Sequence, residues 1–120
     1  VGLATDVGGG TSLSMLRTMS AAYKVLHLQG QPLPADQAIY LATLGAARAL
    51  GLDDVIGNFE VGKEADFIVI DPQASTITAR RSRAAETIDE LLFSLIFLGD
   101  DRNIVSTYVE GRAAGVSRTR

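Results

Sequence analysis

The chain has 120 residues, a formal net charge of −3 and no cysteine, with 47% hydrophobic and 21% charged residues. This composition predicts one packed domain, excludes disulfides, thiolate metal sites and cysteine nucleophiles, and argues against nucleic-acid binding. No apolar run reaches the roughly 18 residues of a membrane-span candidate and no targeting signal is present, so we expect a cytoplasmic protein.

The first residues predict a short buried strand that ends in a glycine turn. Residues 1–5 are mostly apolar, and Asp6 comes next, just before Val7 and the triple glycine of residues 8–10. A turn of this composition uses backbone angles that glycine adopts most easily. Thr11 or Ser12 then suits the N-cap of a helix, predicted over residues 12–28 from its apolar spacing.

The middle of the chain predicts a second helix and a strand. Pro34 suits the first turn of an amphipathic helix that continues to Leu50, with Gly51 as its C-terminal stop. The apolar run 67–70, closed by Pro72, predicts a strand that is buried on both faces.

The last third predicts a loop, a helix and a final strand. Three arginines between residues 80 and 83 are expected on a solvated loop rim, without a function. Thr87 and Glu90 have the spacing of a capping box, which predicts a helix as far as residue 98. Residues 104–109 are rich in β-branched and aromatic side chains and predict a strand, followed by a turn at residues 110–112 and a tail.

Asp6 is the candidate catalytic and metal-binding residue. A carboxylate at the C-terminal end of a strand, before a turn and a helix, lies where (β/α) barrels collect their active sites. Such a carboxylate can bind a divalent metal through one oxygen and take a proton from water whose pKa the metal lowers. Two other interpretations stay open on spacing alone: Asp6 caps the turn through its side-chain oxygens, or the glycines cradle a phosphate.

Three stretches of the chain carry a recognisable pattern: residues 2–19 with the run Thr-Asp-Val-Gly-Gly-Gly-Thr-Ser, residues 42–66, and residues 108–112. The first stretch resembles the last barrel strand and the following helix of guanine deaminases, which belong to the amidohydrolase superfamily. The second resembles the general C-terminal signature of that superfamily, and the third resembles its closing strand.

The resemblance implies an α/β fold, the C-terminal fragment of a (β/α)8 metal-dependent hydrolase barrel with part of a small composite β-sandwich domain. Residues 1–52 would end the barrel, with the strand that carries Asp6 and the helices after it. Residues 53–72 and 99–114 would be strands of the small domain, residues 73–98 a loop and helix that return to the barrel, and residues 115–120 a tail. Because a complete barrel takes roughly 250 residues, we expect the chain to be part of something longer.

The same resemblance implies the reaction, the metal and the partners. Guanine would be hydrolysed to xanthine and ammonia with one zinc ion, and Asp6 would be both a zinc ligand and a proton shuttle. The remaining ligands and the residues that recognise guanine would come from the rest of the parent polypeptide, so the fragment is expected to be inactive alone. The family also implies a homodimer.

Other polar residues are expected to be structural. His27, the only histidine, falls late in a predicted helix, where an imidazole interacts favourably with the helix dipole. Asp66 is expected to shape a turn, and Asp100 and Asp101 to face solvent in one.

Two rival functions stay open. One is another amidohydrolase, acting on a different amino-substituted ring or on a halide. The other is a non-catalytic oligomerisation module, in which Asp6 only caps a turn. If the chain is instead the expected fragment of a longer enzyme, strand edges left without their partners predict that the segment alone is unstable or self-associates.

Overall fold

The computed structural model describes residues 1–115, so most of the predicted tail at residues 115–120 lies outside the described part of the chain. The elements, in chain order, are α1 (Met15–Leu28), α2 (Ala35–Ala42), α3 (Leu44–Leu50), β1 (Phe67–Ile70), α4 (Thr76–Ala84), α5 (Ile88–Leu98), a 3-10 helix (Asp101–Asn103), β2 (Ile104–Val109) and β3 (Arg112–Ala114). No helix within residues 1–115 has both the length and the apolar character needed to span a membrane.

Helices α1, α2 and α5 enclose the main hydrophobic core, which is centred on Leu16, Met19, Leu33, Ala38 and Ile96. These side chains expose only 2–7% of their surface, so the helices are held mainly by apolar burial. The predicted helix α1 is confirmed, but its start is three residues later than expected.

Ser14 sets the start of α1, because its hydroxyl accepts a hydrogen bond from the backbone N–H of Arg17. Ser12, one of the two predicted N-caps, instead accepts a hydrogen bond from the N–H of Ser14 at 3.1 Å. The glycine turn is therefore separated from the helix by a short irregular segment.

The second predicted helix is split into α2 and α3 at Thr43. Thr43 has φ −126° and ψ −101°, which lie outside the helical region. Its hydroxyl donates to the carbonyl of Ile39 at 2.8 Å, an alternative to regular helix bonding that threonine often provides. The predicted stop at Gly51 is confirmed, with the left-handed φ of 69° that favours glycine.

The three strands form one antiparallel sheet in the order β1-β2-β3. Phe67 of β1 lies opposite Tyr108 of β2, and their rings stack with centroids 4.5 Å apart. The strands predicted at residues 67–70 and 104–109 are confirmed, and so is a turn after β2. Burial of β1 on both faces is wrong for this chain, because Ile68 is 50% and Val69 40% exposed. Within residues 1–115, β1 has a strand neighbour on one side only.

Helix α4 replaces the loop predicted around the three arginines. Ser75 and Thr78 form a capping box at its start, and two of the arginines lie in its last turn. Next along the chain, Thr87 caps α5 as predicted by accepting a hydrogen bond from the N–H of Glu90. The carboxylate of Glu90 does not complete the box, since it accepts from the N–H of Glu86 at 2.8 Å instead.

Asn103 ties the sheet to the helices at the entry to β2. Its side chain is fully buried. The amide group donates to the carbonyl of Asp71 at 2.8 Å and accepts from the N–H of Asp100 at 3.0 Å. A buried amide with both ends bonded fixes the end of β1 relative to the 3-10 helix.

Candidate active-site turn at Asp6

Residues 1–6 lie against the helices and form no strand, which corrects the predicted buried strand. The N–H of Leu3 donates to the carbonyl of Leu41 at 2.8 Å, at the end of α2. Gly2 packs so closely on α3 that a Cβ on it would lie 2.7 Å from the Cα of Ala46. A strand needs a neighbouring strand for its hydrogen bonds, and among the described residues only β1 to β3 pair in this way. The segment that leads to Asp6 is thus positioned by α2 and α3.

The main chain closes the turn at Asp6. The carbonyl of Asp6 accepts hydrogen bonds from the N–H of Gly9, at 3.0 Å, and from the N–H of Gly10. Asp6 itself has φ +48° and Gly8 has φ +100°. Aspartate is one of the few residues besides glycine that adopt this left-handed region with little strain.

The side chain of Asp6 takes no part in closing the turn. Asp6 is exposed, and its carboxylate makes no hydrogen bond or ion pair with any residue from 1 to 115. The turn-capping interpretation needs a side-chain oxygen as acceptor, whereas here the backbone carbonyl accepts. The phosphate interpretation needs free N–H groups, but those of Gly9 and Gly10 are occupied and α1 begins only at Met15. The carboxylate is therefore available to an external ligand.

One available carboxylate fits a metal site as a single ligand. Catalytic zinc sites use about three protein ligands, and a carboxylate oxygen suits zinc, iron or manganese alike. Within residues 1–115, no three histidine, cysteine, aspartate or glutamate side chains lie close enough together to hold a metal ion. Any complete site would take its other ligands from outside this part of the chain.

The other polar candidates of the sequence lie away from this turn. His27 lies in the last turn of α1, roughly 20 Å along the helix from its first residue. It is exposed and stacks on Tyr23, with ring centroids 5.3 Å apart. Asp66 accepts a hydrogen bond from the N–H of Glu110 at 2.8 Å, so it shapes the turn between β2 and β3.

Asp100 and Asp101 lie in a turn as expected, but Asp100 is half-buried and does not simply face solvent. Asp100 caps the 3-10 helix and pairs with the guanidinium of Arg102, with the Nη2 and Oδ2 atoms 2.6 Å apart. Hydrogen bonds from this guanidinium and from the Arg102 backbone N–H lower the pKa of Asp100 to about 2. Asp101 is exposed in the same turn.

An open groove of about 530 Å³ lies at the start of α4, lined by residues that include Ser75, Arg80 and Arg83. Asp6 does not line it, and neither does any other carboxylate or imidazole. The groove therefore brings no acid–base pair together and is separate from the Asp6 turn.

The comparisons with known proteins agree on one protein family. The model of the amidohydrolase family matches residues 1–114. The chain is 54% identical over 112 residues to the guanine deaminase of Escherichia coli (strain K12), covering 93% of this chain and 26% of that protein. The chain thus spans about a quarter of the length of this curated relative.

Solved structures agree with the sequence comparison. The structure of E. coli guanine deaminase superposes with a TM-score of 0.94 at 51% identity, over 99% of this chain and 28% of that one. A guanine deaminase from C. acetobutylicum with guanine bound in its active site has a TM-score of 0.71 at 27% identity, over 94% of this chain and 26% of that one. An adenosine deaminase from Xanthomonas campestris with bound zinc has a TM-score of 0.73 at 28% identity, over 89% of this chain and 23% of that one.

Proposed function

Because this chain belongs to the amidohydrolase family, we propose that it is the C-terminal part of a zinc-dependent guanine deaminase in which Asp6 is a metal ligand and a proton acceptor. The observation that carries the proposal is the carboxylate of Asp6, which is left without a partner among residues 1–115 in a turn that the backbone closes. The reaction that we propose for this carboxylate is suggested by the similarity of the chain, at 54% identity, to E. coli guanine deaminase.

Asp6 serves the reaction as a base and then as an acid. A divalent metal supplies, when bound, a Lewis acid that lowers the pKa of water toward neutrality. The carboxylate of Asp6 accepts a proton from the attacking water as its oxygen forms a bond to the guanine carbon that bears the exocyclic amine. It then returns the proton to the departing nitrogen, the carbon–nitrogen bond breaks, and xanthine and ammonia result.

The rest of the parent polypeptide supplies what residues 1–115 do not bring together. In this proposal residues 1–52 complete a (β/α)8 barrel, and residues 53–72 and 99–114 join strands from elsewhere in a small β-sandwich domain. The open sides of β1 and β3 support this assignment, because unpaired strand edges are rarely left exposed. The segment alone is inactive, and the full-length enzyme is a cytoplasmic homodimer.

Replacing Asp6 by asparagine in the full-length protein tests the proposal. Asparagine keeps the shape of the side chain and tolerates a positive φ, so the turn is preserved while the charge and the basicity are lost. We expect kcat/KM on guanine to fall about 10²- to 10⁴-fold and the zinc content to fall with it. Asp54→Asn, at an exposed aspartate far along the chain, is the matched control.

The outcomes separate the proposal from its rivals. Asp6→Asn protein with normal activity and full zinc would overturn the role of Asp6. Because the chain also resembles an adenosine deaminase, the wild-type protein is assayed on guanine, adenosine, adenine and cytosine. Preference for a substrate other than guanine selects another amidohydrolase, and no hydrolysis of any of them by the zinc-loaded protein favours a non-catalytic module.

A further inference from the structure

Gly9 lies directly against the carboxylate of Asp6. A Cβ on Gly9 would lie 2.6 Å from Oδ2 of Asp6 and 3.3 Å from its Cγ. Both distances are shorter than a van der Waals contact, so a methyl group and the carboxylate cannot occupy their places together. The side chain of Asp6 fills the space that any larger residue at position 9 would take.

Backbone conformation does not explain glycine at this position. Gly9 is absent from the residues with positive φ, whereas Gly8, its neighbour, has φ +100°. Nothing lies within 4 Å of a Cβ on Gly8. Gly8 is thus required for its backbone angle and Gly9 for its contact with the carboxylate.

Gly10 has a third and different constraint. A Cβ on Gly10 would meet the backbone carbonyl of Thr5, so substitution there forces the main chain of the turn to move. At Gly9 the obstructing atom is the end of a side chain, which can rotate away without moving the backbone. Of these three glycines, Gly9 is the one whose substitution displaces the carboxylate and leaves the fold in place.

We infer that Gly9 is a positioning residue for Asp6: because it has no side chain, it leaves room for the carboxylate in the orientation seen here, which is the orientation that serves the metal and the attacking water in the proposed reaction. This inference rests on the proposed function and adds a second residue to the site. Displacing a reacting group by about 1 Å can cost 10²-fold in rate. Residues that support a metal ligand typically change metal affinity 10- to 100-fold when mutated.

The test compares Gly9→Ala with Gly62→Ala in the full-length protein, since Gly62 has φ +98°, has nothing within 4 Å of an added Cβ and lies outside the Asp6 turn. We expect Gly9→Ala to lower kcat about 10²-fold with little change in KM, and to lose zinc to a chelator at a concentration at least tenfold lower than wild type. The melting temperature of its metal-free form should equal that of wild type. Gly62→Ala should show the reverse, with a melting temperature lower by a few degrees and unchanged kcat and zinc retention, because its cost is backbone strain.

The results decide between positioning and a structural role. Normal kcat and normal zinc retention in Gly9→Ala would overturn the inference, as would a metal-free form that is unfolded or melts as low as Gly62→Ala. Asp6→Asn keeps the two proposals distinct. If Asp6→Asn is inactive while Gly9→Ala is normal, only the positioning role of Gly9 fails. If Asp6→Asn is active, the proposed function and the positioning role both fail.

Discussion

Two aspartates that border turns use their atoms in opposite ways. Asp100 engages its carboxylate, which accepts from the N–H of Arg102 at 3.0 Å and pairs with the guanidinium of the same residue. Asp6 engages its backbone carbonyl and leaves the carboxylate free. A carboxylate already bonded to a cation and to a cap has little capacity for a metal, so of these two aspartates Asp6 is the candidate ligand.

The Asp100–Arg102 pair predicts a specific dependence of stability on pH. The pKa of Asp100 is lowered from 3.8 to about 2 in the folded state. A lowered carboxyl pKa contributes stability above the unfolded value, and the contribution is lost as pH falls toward the folded value. Arg102→Gln should therefore lower the melting temperature of the full-length protein at neutral pH, and the difference from wild type should shrink between about pH 4 and pH 2.

Arg112→Gln controls for the loss of one positive charge. Arg112 is exposed and forms no ion pair within residues 1–115. The Arg102 effect should also weaken in high salt, because the pair is largely solvent-exposed. A melting-temperature difference for Arg102→Gln that stays constant down to pH 2 would contradict the assignment.

The elements that the sequence predicts well are those fixed by local chemistry. The cap at Thr87, the stop at Gly51 and the strand at residues 104–109 each depend on a few neighbouring residues. Helix α4 was missed because its polar, arginine-rich sequence has a weak apolar face, and its start depends on a Ser–Thr pair in place of the usual Ser–Glu box. The break at Thr43 was missed because an apolar repeat runs through it.

The hairpin between β2 and β3 gives a prediction of increased stability. Glu110 and Gly111 have φ +50° and +74°, the two positive angles of a type I′ turn. Asparagine followed by glycine suits this turn best, and glutamate adopts a positive φ poorly. Glu110→Asn should stabilise the full-length protein by about 0.5–1 kcal/mol, because it relieves the strain of a positive φ at this residue. The hydrogen bond from the backbone N–H of residue 110 to Asp66 is kept.

Thermal unfolding measures this gain, with Glu64→Asn as the control. Glu64 is exposed but has no positive φ, so its replacement removes the same charge without relieving strain. We expect no gain from Glu64→Asn. A melting temperature of Glu110→Asn equal to or below that of wild type would show that the turn stores no strain at this residue.

The whole chain exposes more surface than a self-contained domain of its size. Its accessible surface is 8277 Å², whereas a folded monomer of 12.7 kDa is expected to expose roughly 6,200 Å². Large apolar side chains contribute to this surface, with Phe59 80% and Val61 106% exposed. The predicted burial of β1 and of a first strand both assumed neighbouring strands, and an apolar run does not show whether such neighbours lie within the same 120 residues.

Part of this exposed apolar surface lies on one face of the sheet. Ile68 lies opposite Thr107, and Val109 is two residues beyond Thr107 in a regular part of β2, so the two apolar side chains share a face. They are 50% and 49% exposed. Such a face, next to an open strand edge, is a site of association when nothing covers it.

The isolated chain of 120 residues should therefore self-associate, and the sheet face should be responsible. We expect sedimentation velocity to show oligomers or aggregates of the purified wild-type chain, and a shift toward monomer when Ile68 and Val109 are both replaced by lysine. Val25→Lys, at a similarly exposed valine on α1, should leave the distribution unchanged. In the full-length protein the paired lysines should instead lower the melting temperature, because there the face is buried and charge on it is costly. A compact monomer of the wild-type segment would show that this face does not drive association, and paired lysines without effect in the full-length protein would show that no other part of the polypeptide covers it.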